Sequence, residues 1–593
     1  MSHPRFRTAL LTGALCAALV TTAHAAPAAG WVATDTASQV AAGRALARPE
    51  QALSPAPLDA TLDISIVLRP ADPAALQQAT AALTAQSSAD PALQARAKAL
   101  AQPNAAALRR VQDYLLGKGI GDVRVAGNGT LLRARASVAA IQAAFDTAIR
   151  SYSENGRRYY VNEGAAKVPA ALAGSVAGVL GLDTVRSAAA PQIVTRQAAQ
   201  AIASPQATAQ ATPDLVAVMH RVEDLPVLYD AASLPAATNT TAAIIAVGNM
   251  GETLRHLASF QAQHNLHTMV RVVQTADPAS PGYRPTNDPS ADVEWDMDTQ
   301  LLLGTSGGLK TLIIYDIPDF SWKSIIDGMQ RAADDNLARV ISVSIYGSEA
   351  QVYRDTLQAA NAALNQAVSN GQNFVFCSGD DGVYLPLSAN ANAPYYPDLS
   401  AHPEQREVAF PASSPYVIAV GATELRTPAG APTTYGEEVV WNAHRGHGIT
   451  QGGLSKMYAA PSWQQSAIPS MLGNGYRAVP DVSFNGSGDS SAYILQTGST
   501  IGTEVSGYVY GTSAAAPTFA GLLARVLQAN GNRVGFVGPA LYAYARTAGN
   551  TYDVLLGDNG LYRDGYRAGP GWDYASGWGS VDMLAFSRYL QTH

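Results

Sequence analysis

Residues 308–315 read GLKTLIIY and end in an unbroken apolar run. A run this short cannot be told from a buried helix by periodicity alone. Its neighbours decide the reading. AAIIAV at 242–247, RVISVS at 339–344, NFVFC at 373–377 and YVIAV at 416–420 share its character, and helical patterns lie between several of them. Short, continuously apolar strands alternating with helices predict an α/β domain built on a parallel sheet that is buried on both faces. The pattern occupies residues 214–593, long enough for one large core.

Upstream the pattern changes. Residues 187–213 are dominated by Ala, Gln, Thr, Ser and Pro and carry no hydrophobic period, so a linker open to proteolysis is expected there. Residues 26–186 mix strands and helices in the order of a small α+β domain. A strand is expected at 58–68 and helices at 73–86, 105–116 and 138–149; a hairpin is expected at 123–134, turning at Gly127-Asn128-Gly129. Residues 1–25 have Arg5 and Arg7, an apolar run over 9–20 and then Ala23-His24-Ala25. That order predicts a cleaved signal peptide, too short to span a bilayer. The mature chain is therefore expected to be secreted and extracellular, with transit through a periplasm.

Composition narrows the function. Charged residues make up 14% of the chain and the formal net charge is -7, which lacks the basic footprint of a nucleic-acid binder. Beyond the leader there is no apolar run long enough to cross a membrane, so a soluble chain is expected, and as a monomer. Cys16 leaves with the leader and Cys377 then has no partner. An exported chain without disulfides must rely on a large core or a bound metal.

Three segments carry candidate chemistry. Gly511-Thr512-Ser513-Ala514-Ala515-Ala516-Pro517 surrounds one serine with small residues, and Phe519 to Leu527 continues as a helix. A serine at a helix start is held rigidly near the positive end of the dipole; an ordinary capping serine is the plainer reading. No histidine of the chain stands in the context of a serine-protease base, and His444 and His447 are read as loop residues lacking a third metal ligand. The second segment, ADVEWDMDTQLL at 291–302, places four acids in seven positions. On a helix Glu294 and Asp298 stack one turn apart, as do Asp292 and Asp296. Stacked carboxyls share a proton, leaving one as base, and spacing does not choose between the pairs. The third segment, Ser378-Gly379-Asp380-Asp381-Gly382, directly follows the apolar run 373–377. It is either a plain turn or a loop that aims a carboxyl at a site, since such sites assemble at the carboxyl ends of parallel strands.

Together these segments resemble the sedolisins, the serine-carboxyl peptidases, and are most similar to the pseudomonalisin and xanthomonalisin branch. The resemblance continues through VVWNAHRGHGITQGGLSKMYAAPSWQ at 439–464, Arg477 to Val482, and VPAALAGSVAGVLGL at 168–182. It implies a subtilisin-like parallel sheet flanked by helices, preceded by a small α+β (ferredoxin-like) pro-domain. It also implies an acid-acting endopeptidase on protein and peptide substrates, autoactivated at low pH, with its own pro-domain as intramolecular inhibitor. Ser513 becomes the nucleophile, Glu294 the base, Asp298 its orienting partner and Asp380 the oxyanion-hole acid; Asp292, Asp296 and Asp381 are left out of catalysis. The same resemblance implies one structural Ca²⁺ held by Asp553 and Asp573 through side chains and by Val554, Gly569 and Gly571 through carbonyls. The rival readings are a neutral subtilisin-like enzyme with an unrecognised histidine and a catalytically silent binding protein on the same fold.

Overall fold

A computed structural model describes residues 30–38, 53–85, 90–126, 129–154, 157–185, 214–276, 289–385, 396–443, 448–473, 475–496 and 509–592. The expected leader, the linker at 187–213, the tip of the 123–134 hairpin at 127–128 and the loop with His444 and His447 lie outside the described residues.

All five expected strands form, as Thr241–Val247, Thr311–Ile317, Val340–Val343, Asn373–Cys377 and Ile418–Pro428. They belong to a nine-stranded sheet. Its parallel part runs Met269–Gln274, Thr311–Ile317, Thr241–Val247, Val340–Val343, Asn373–Cys377, Ile418–Pro428, and Val482–Asn485 also joins the last strand in parallel. The sheet is not wholly parallel, which corrects the expectation. Pairing with Asn373–Cys377 stops at Val420, and the outer half of the eleven-residue strand Ile418–Pro428 takes Glu437–Val440 and Leu215–Ala217 as antiparallel partners. The order in which strands are added switches sides at Thr241–Val247, and the crevice at the carboxyl ends beside such a switch is where α/β folds place ligands.

Two helices dominate the layer that forms the site. Pro289–Ser306 carries the acids and Thr512–Ala529 carries Ser513. They lie very close together because Gly521 has no side chain: a Cβ there would stand 2.1 Å from Thr305 Oγ1 and 2.5 Å from the Leu302 carbonyl. Pro517, inside the second helix, cannot donate to the carbonyl four residues earlier. The Ser513 carbonyl is thereby left available to other groups.

The N-terminal unit has a four-stranded antiparallel sheet in the order Arg124–Val125, Leu131–Ser137, Thr61–Leu68, Val176–Leu180. With helices Pro73–Thr84, Pro91–Ala101, Ala105–Gly117 and Val138–Phe145 it is the expected ferredoxin-like arrangement. The helix expected to reach residue 149 stops at Phe145, where Asp146 is left-handed at φ 42°, and Ile149–Glu154 is a strand. The unit packs on the C-terminal one at helices Trp322–Asp335 and Arg354–Ser369. Gly178 permits the close approach, since a Cβ there would lie 2.4 Å from Asp355 Cβ, and the Thr36 hydroxyl donates to Asp355 at 2.6 Å. Arg133 pairs with Asp327 at 3.1 Å across the same contact. Among the described residues no helix is long and apolar enough to cross a membrane.

Candidate active site

The strand Asn373–Cys377 ends at the site, and Ser378-Gly379 turns its chain toward the nucleophile helix. Asp380 Oδ1 accepts from the Thr512 amide at 2.8 Å and the Thr512 hydroxyl at 2.7 Å. Thr512 Oγ1 in turn accepts from the Gly379 amide at 3.1 Å. A hydroxyl is needed at 512 because one group both donates and accepts. Gly511 completes the fit. Its φ is +106°, and a Cβ there would lie 2.5 Å from Asp380 Oδ2, so only glycine admits the carboxyl against the backbone. Asp380 and Ser513, the next residue after its anchor Thr512, are thus fixed as one rigid piece; both are fully buried.

The acid helix contributes from the other side. Glu294 and Asp298 are buried, at 1% and 0% exposure. Burial pushes Glu294 well above the usual carboxylate range; the charges of Asp298 and Asp380 add to this, and the Ser513 hydroxyl opposes it. Burial likewise raises Asp298, against the hydroxyl of Ser344. Ser344 donates to Asp298 Oδ1 at 2.7 Å and lies 3.5 Å from the Ser513 carbonyl that Pro517 leaves available. Neither Glu294 oxygen nor Ser513 Oγ has a hydrogen bond of ordinary geometry, yet the hydroxyl lies close enough to favour the charged form of Glu294. Base and serine are adjacent and not yet bonded, a relation that commonly tightens when substrate binds.

The structure separates the two acid pairs that spacing left equal. Asp296 bonds His256 Nδ1 at 2.7 Å, two positions and about 200° around the helix from Glu294. Trp295 donates to the Val247 carbonyl at 2.9 Å, and Gln300 exchanges bonds of 2.6 and 2.7 Å with the backbone of Leu495. These contacts set the rotation of the helix. The side chain of Asp292 lies outside the described residues. Among the described residues no histidine bonds Ser513. His256 goes to Asp296, His264 to Glu223 at 2.8 Å and His402 to Glu404 at 3.2 Å, while His220 is buried. Ser344 and the anchoring role of Thr512 were missed in the sequence. Ser344 sits at the end of the expected run RVISVS, where only its strand-end position hints at a role.

Hydrogen bonds join four of the residues implied for calcium in two pairs. Asp553 accepts from the Gly571 amide at 2.8 Å, and Asp573 accepts from the amides of Gly569, Ala575 and Ser576 at 3.0, 2.8 and 2.9 Å. Burial nevertheless raises Asp573 to about 6 and shifts Asp553 upward. Buried Asp573 and exposed Asp553 offer carboxyl oxygens beside glycine amides, and oxygen donors suit a hard cation. No group of three or more His, Cys, Asp or Glu side chains that could hold a metal ion is found among the described residues; the implied set has only two such side chains and draws its other donors from carbonyls.

Two family models match the chain. Residues 51–185 match the Pro-kumamolisin, activation domain model and residues 296–579 match the Subtilase family model. The second match opens two residues after Glu294. The chain is 34% identical to sedolisin of Pseudomonas sp. (strain 101), over 95% of this chain and 93% of that protein. It is 34% identical to xanthomonalisin of Xanthomonas sp. (strain T-22), over 83% of this chain and 60% of that protein. Among solved structures it resembles Pseudomonas sedolisin, a serine-carboxyl proteinase, complexed with two molecules of pseudo-iodotyrostatin. Identity is 36% and the TM-score 0.57, with 64% of this chain and 99% of that one covered.

Proposed function

Because the chain belongs to the sedolisin family of serine-carboxyl peptidases, with that family's activation domain at its N-terminus and its own pro-domain as inhibitor, it is a serine-type peptidase, and we propose that it is a secreted, acid-acting endopeptidase working through Ser513, Glu294, Asp298 and Asp380. The observation that carries this reading is the convergence of three buried carboxyls on one serine, with Asp380 anchored by Thr512.

Glu294 takes the hydroxyl proton as Ser513 Oγ bonds to the substrate carbonyl carbon. Asp298, held by Ser344, orients Glu294. The tetrahedral oxyanion receives a proton donor from Asp380 and a backbone N–H at the start of the nucleophile helix. The C–N bond then breaks and Glu294 returns its proton to the leaving amine. Water repeats the sequence against the acyl-enzyme and restores Ser513.

The acid range follows from coupling. Three carboxyls so close lose their protons in separate steps, and the first leaves at the lowest pH because no charge yet opposes it. The active form has that one charge on Glu294 and the proton still on Asp380. The second ionisation ends activity as pH rises.

Asp553 and Asp573, with the carbonyls of Val554, Gly569 and Gly571, would hold a calcium ion. The ion would supply a cross-link between two loops of a chain whose described cysteine, Cys377, is free. Export follows from the N-terminal leader pattern. Mass spectrometry after treatment with a peptide aldehyde tests the central assignment. An adduct on Ser513, absent from Ser513→Ala, is expected; an adduct elsewhere, or none, overturns it.

A further inference from the structure

Asp381 follows Asp380 directly, and the two consecutive carboxyls take different partners. Asp380 goes to Thr512. Asp381 Oδ2 accepts from the Tyr346 hydroxyl at 2.7 Å, and its Oδ1 accepts from the Tyr396 hydroxyl. All three side chains are buried, at 0% exposure for Asp381, 4% for Tyr346 and 2% for Tyr396. Each carboxyl oxygen of Asp381 is thus met by one phenol donor. Burial and the charges of Asp381 and Asp380 push the Tyr346 phenol well above its ordinary range, so it keeps its proton and remains a donor.

The clamp joins the two halves of the site. Tyr346 lies two residues after Ser344, the donor to Asp298. The loop between is stiff: Ile449 donates to the Asp380 carbonyl at 3.1 Å and accepts from the Gly382 amide at 3.0 Å. Gly379 and Gly382, at φ 103° and 62°, bracket the pair of acids. The ring of Tyr396 stacks on Tyr384 at 4.7 Å, and the Tyr384 hydroxyl is spent on Asp564 at 2.6 Å.

We propose that Asp381, gripped by Tyr346 and Tyr396, is a positioning residue for the oxyanion acid: its charge keeps the proton on Asp380, and its tyrosines tie that loop to the strand end that holds Asp298. The proposal rests on the assignment of Asp380 made above. Among the described residues, the titratable groups facing Asp380 include Glu294 on the acid helix, Cys377 on the preceding strand and Tyr346. Those facing Asp381 are Tyr346 and Tyr396, with Tyr384 and Asp564 behind them. A neighbouring negative charge disfavours ionisation of Asp380, so Asp380 stays an acid to higher pH than it otherwise would.

The test is the pH dependence of kcat and KM for acid-matured protein on a peptide substrate. Asp381→Asn keeps shape and removes charge. Its alkaline limb of kcat is expected to move toward acid by about one pH unit, with KM changed less than about twofold, and Asp381→Glu is expected to restore the limb. Tyr346→Phe removes one donor and should move the limb the same way by less, which keeps the proposal testable if Asp381→Asn does not fold. A uniform fall in kcat with the limb unmoved in both variants would mean a merely structural clamp and overturns the proposal. Asp380→Asn separates the two levels: if that variant is fully active, the assignment of Asp380 itself has failed, and the proposal with it.

Discussion

Replacing Gly511 with alanine adds a single methyl group and removes no functional one, so its effect measures how tightly the oxyanion acid is placed. The added Cβ would stand 2.5 Å from Asp380 Oδ2 and 3.3 Å from its carboxyl carbon. To reach ordinary contact the carboxyl must withdraw by about 1 Å, and the φ of +106° adds strain of about 1–3 kcal/mol for a residue with a side chain. Withdrawal breaks the 2.8 and 2.7 Å bonds from Thr512 that fix the carboxyl. A misplacement of about 1 Å costs about 10²-fold in rate, and loss of an oxyanion donor about 10²–10³-fold. We therefore expect kcat to fall by about 10²–10³, or about 3–4 kcal/mol of transition-state stabilisation, with little change in KM. The precursor variant would be matured by a trace of wild-type enzyme, repurified and assayed for kcat, KM and thermal midpoint. A kcat within about threefold of wild type in a normally folded variant would refute the claim that Asp380 acts from this position.

Three further outcomes follow from the same geometry. Ser344→Ala removes the 2.7 Å donor that opposes the upward shift of Asp298; the acid limb of the pH–rate profile should move to higher pH and kcat should fall by about tenfold, both read from one profile. Glu294 and Asp298 are raised in the folded state, so the stability they contribute is present below their unfolded values near 4 and is lost as pH rises through their folded ones. The thermal midpoint of matured enzyme should therefore drop as pH rises above the ordinary carboxylate range, and Glu294→Gln should flatten that drop; an equal drop in the variant would contradict the assignment. Chelation of calcium at saturating levels of about 100 times Kd would remove about 2.7 kcal/mol. It should lower the midpoint of the matured enzyme by about 3 °C and leave Asp553→Asn unaffected, as checked by calorimetry.

Much of the fold could be read because buried parallel strands announce themselves as short continuous apolar runs. NFVFC forms residue for residue and three other expected strands differ only at their ends, whereas the run expected at 416–420 forms as the longer strand Ile418–Pro428. Met269–Gln274 escaped notice because its exposed edge keeps Arg271 and Gln274 in an otherwise apolar run. Glu437–Val440 escaped because two glutamates mask a strand whose pairing depends on a distant partner. The helix Pro91–Ala101 was missed for another reason: its eleven residues are rich in alanine and have little apolar stripe. At the site, the nucleophile turn and the acid helix carry local signals. The choice of Glu294 over Asp292 and Asp296 did not come from spacing; the resemblance supplied it, and the His256–Asp296 bond is consistent with it. Ser344, Tyr346 and Tyr396 carry no local signal, because each acquires its role only when strands far apart in sequence are brought side by side.

The most direct test of the whole account is a pH profile of kcat/KM for acid-matured wild type and Glu294→Gln. If Glu294 is the base and protonated Asp380 the oxyanion donor, wild type should peak on the acid side, near pH 4, and Glu294→Gln should lose at least about 10³-fold at every pH. A wild-type maximum near pH 8, or a Glu294→Gln variant that keeps most of its activity, would contradict it.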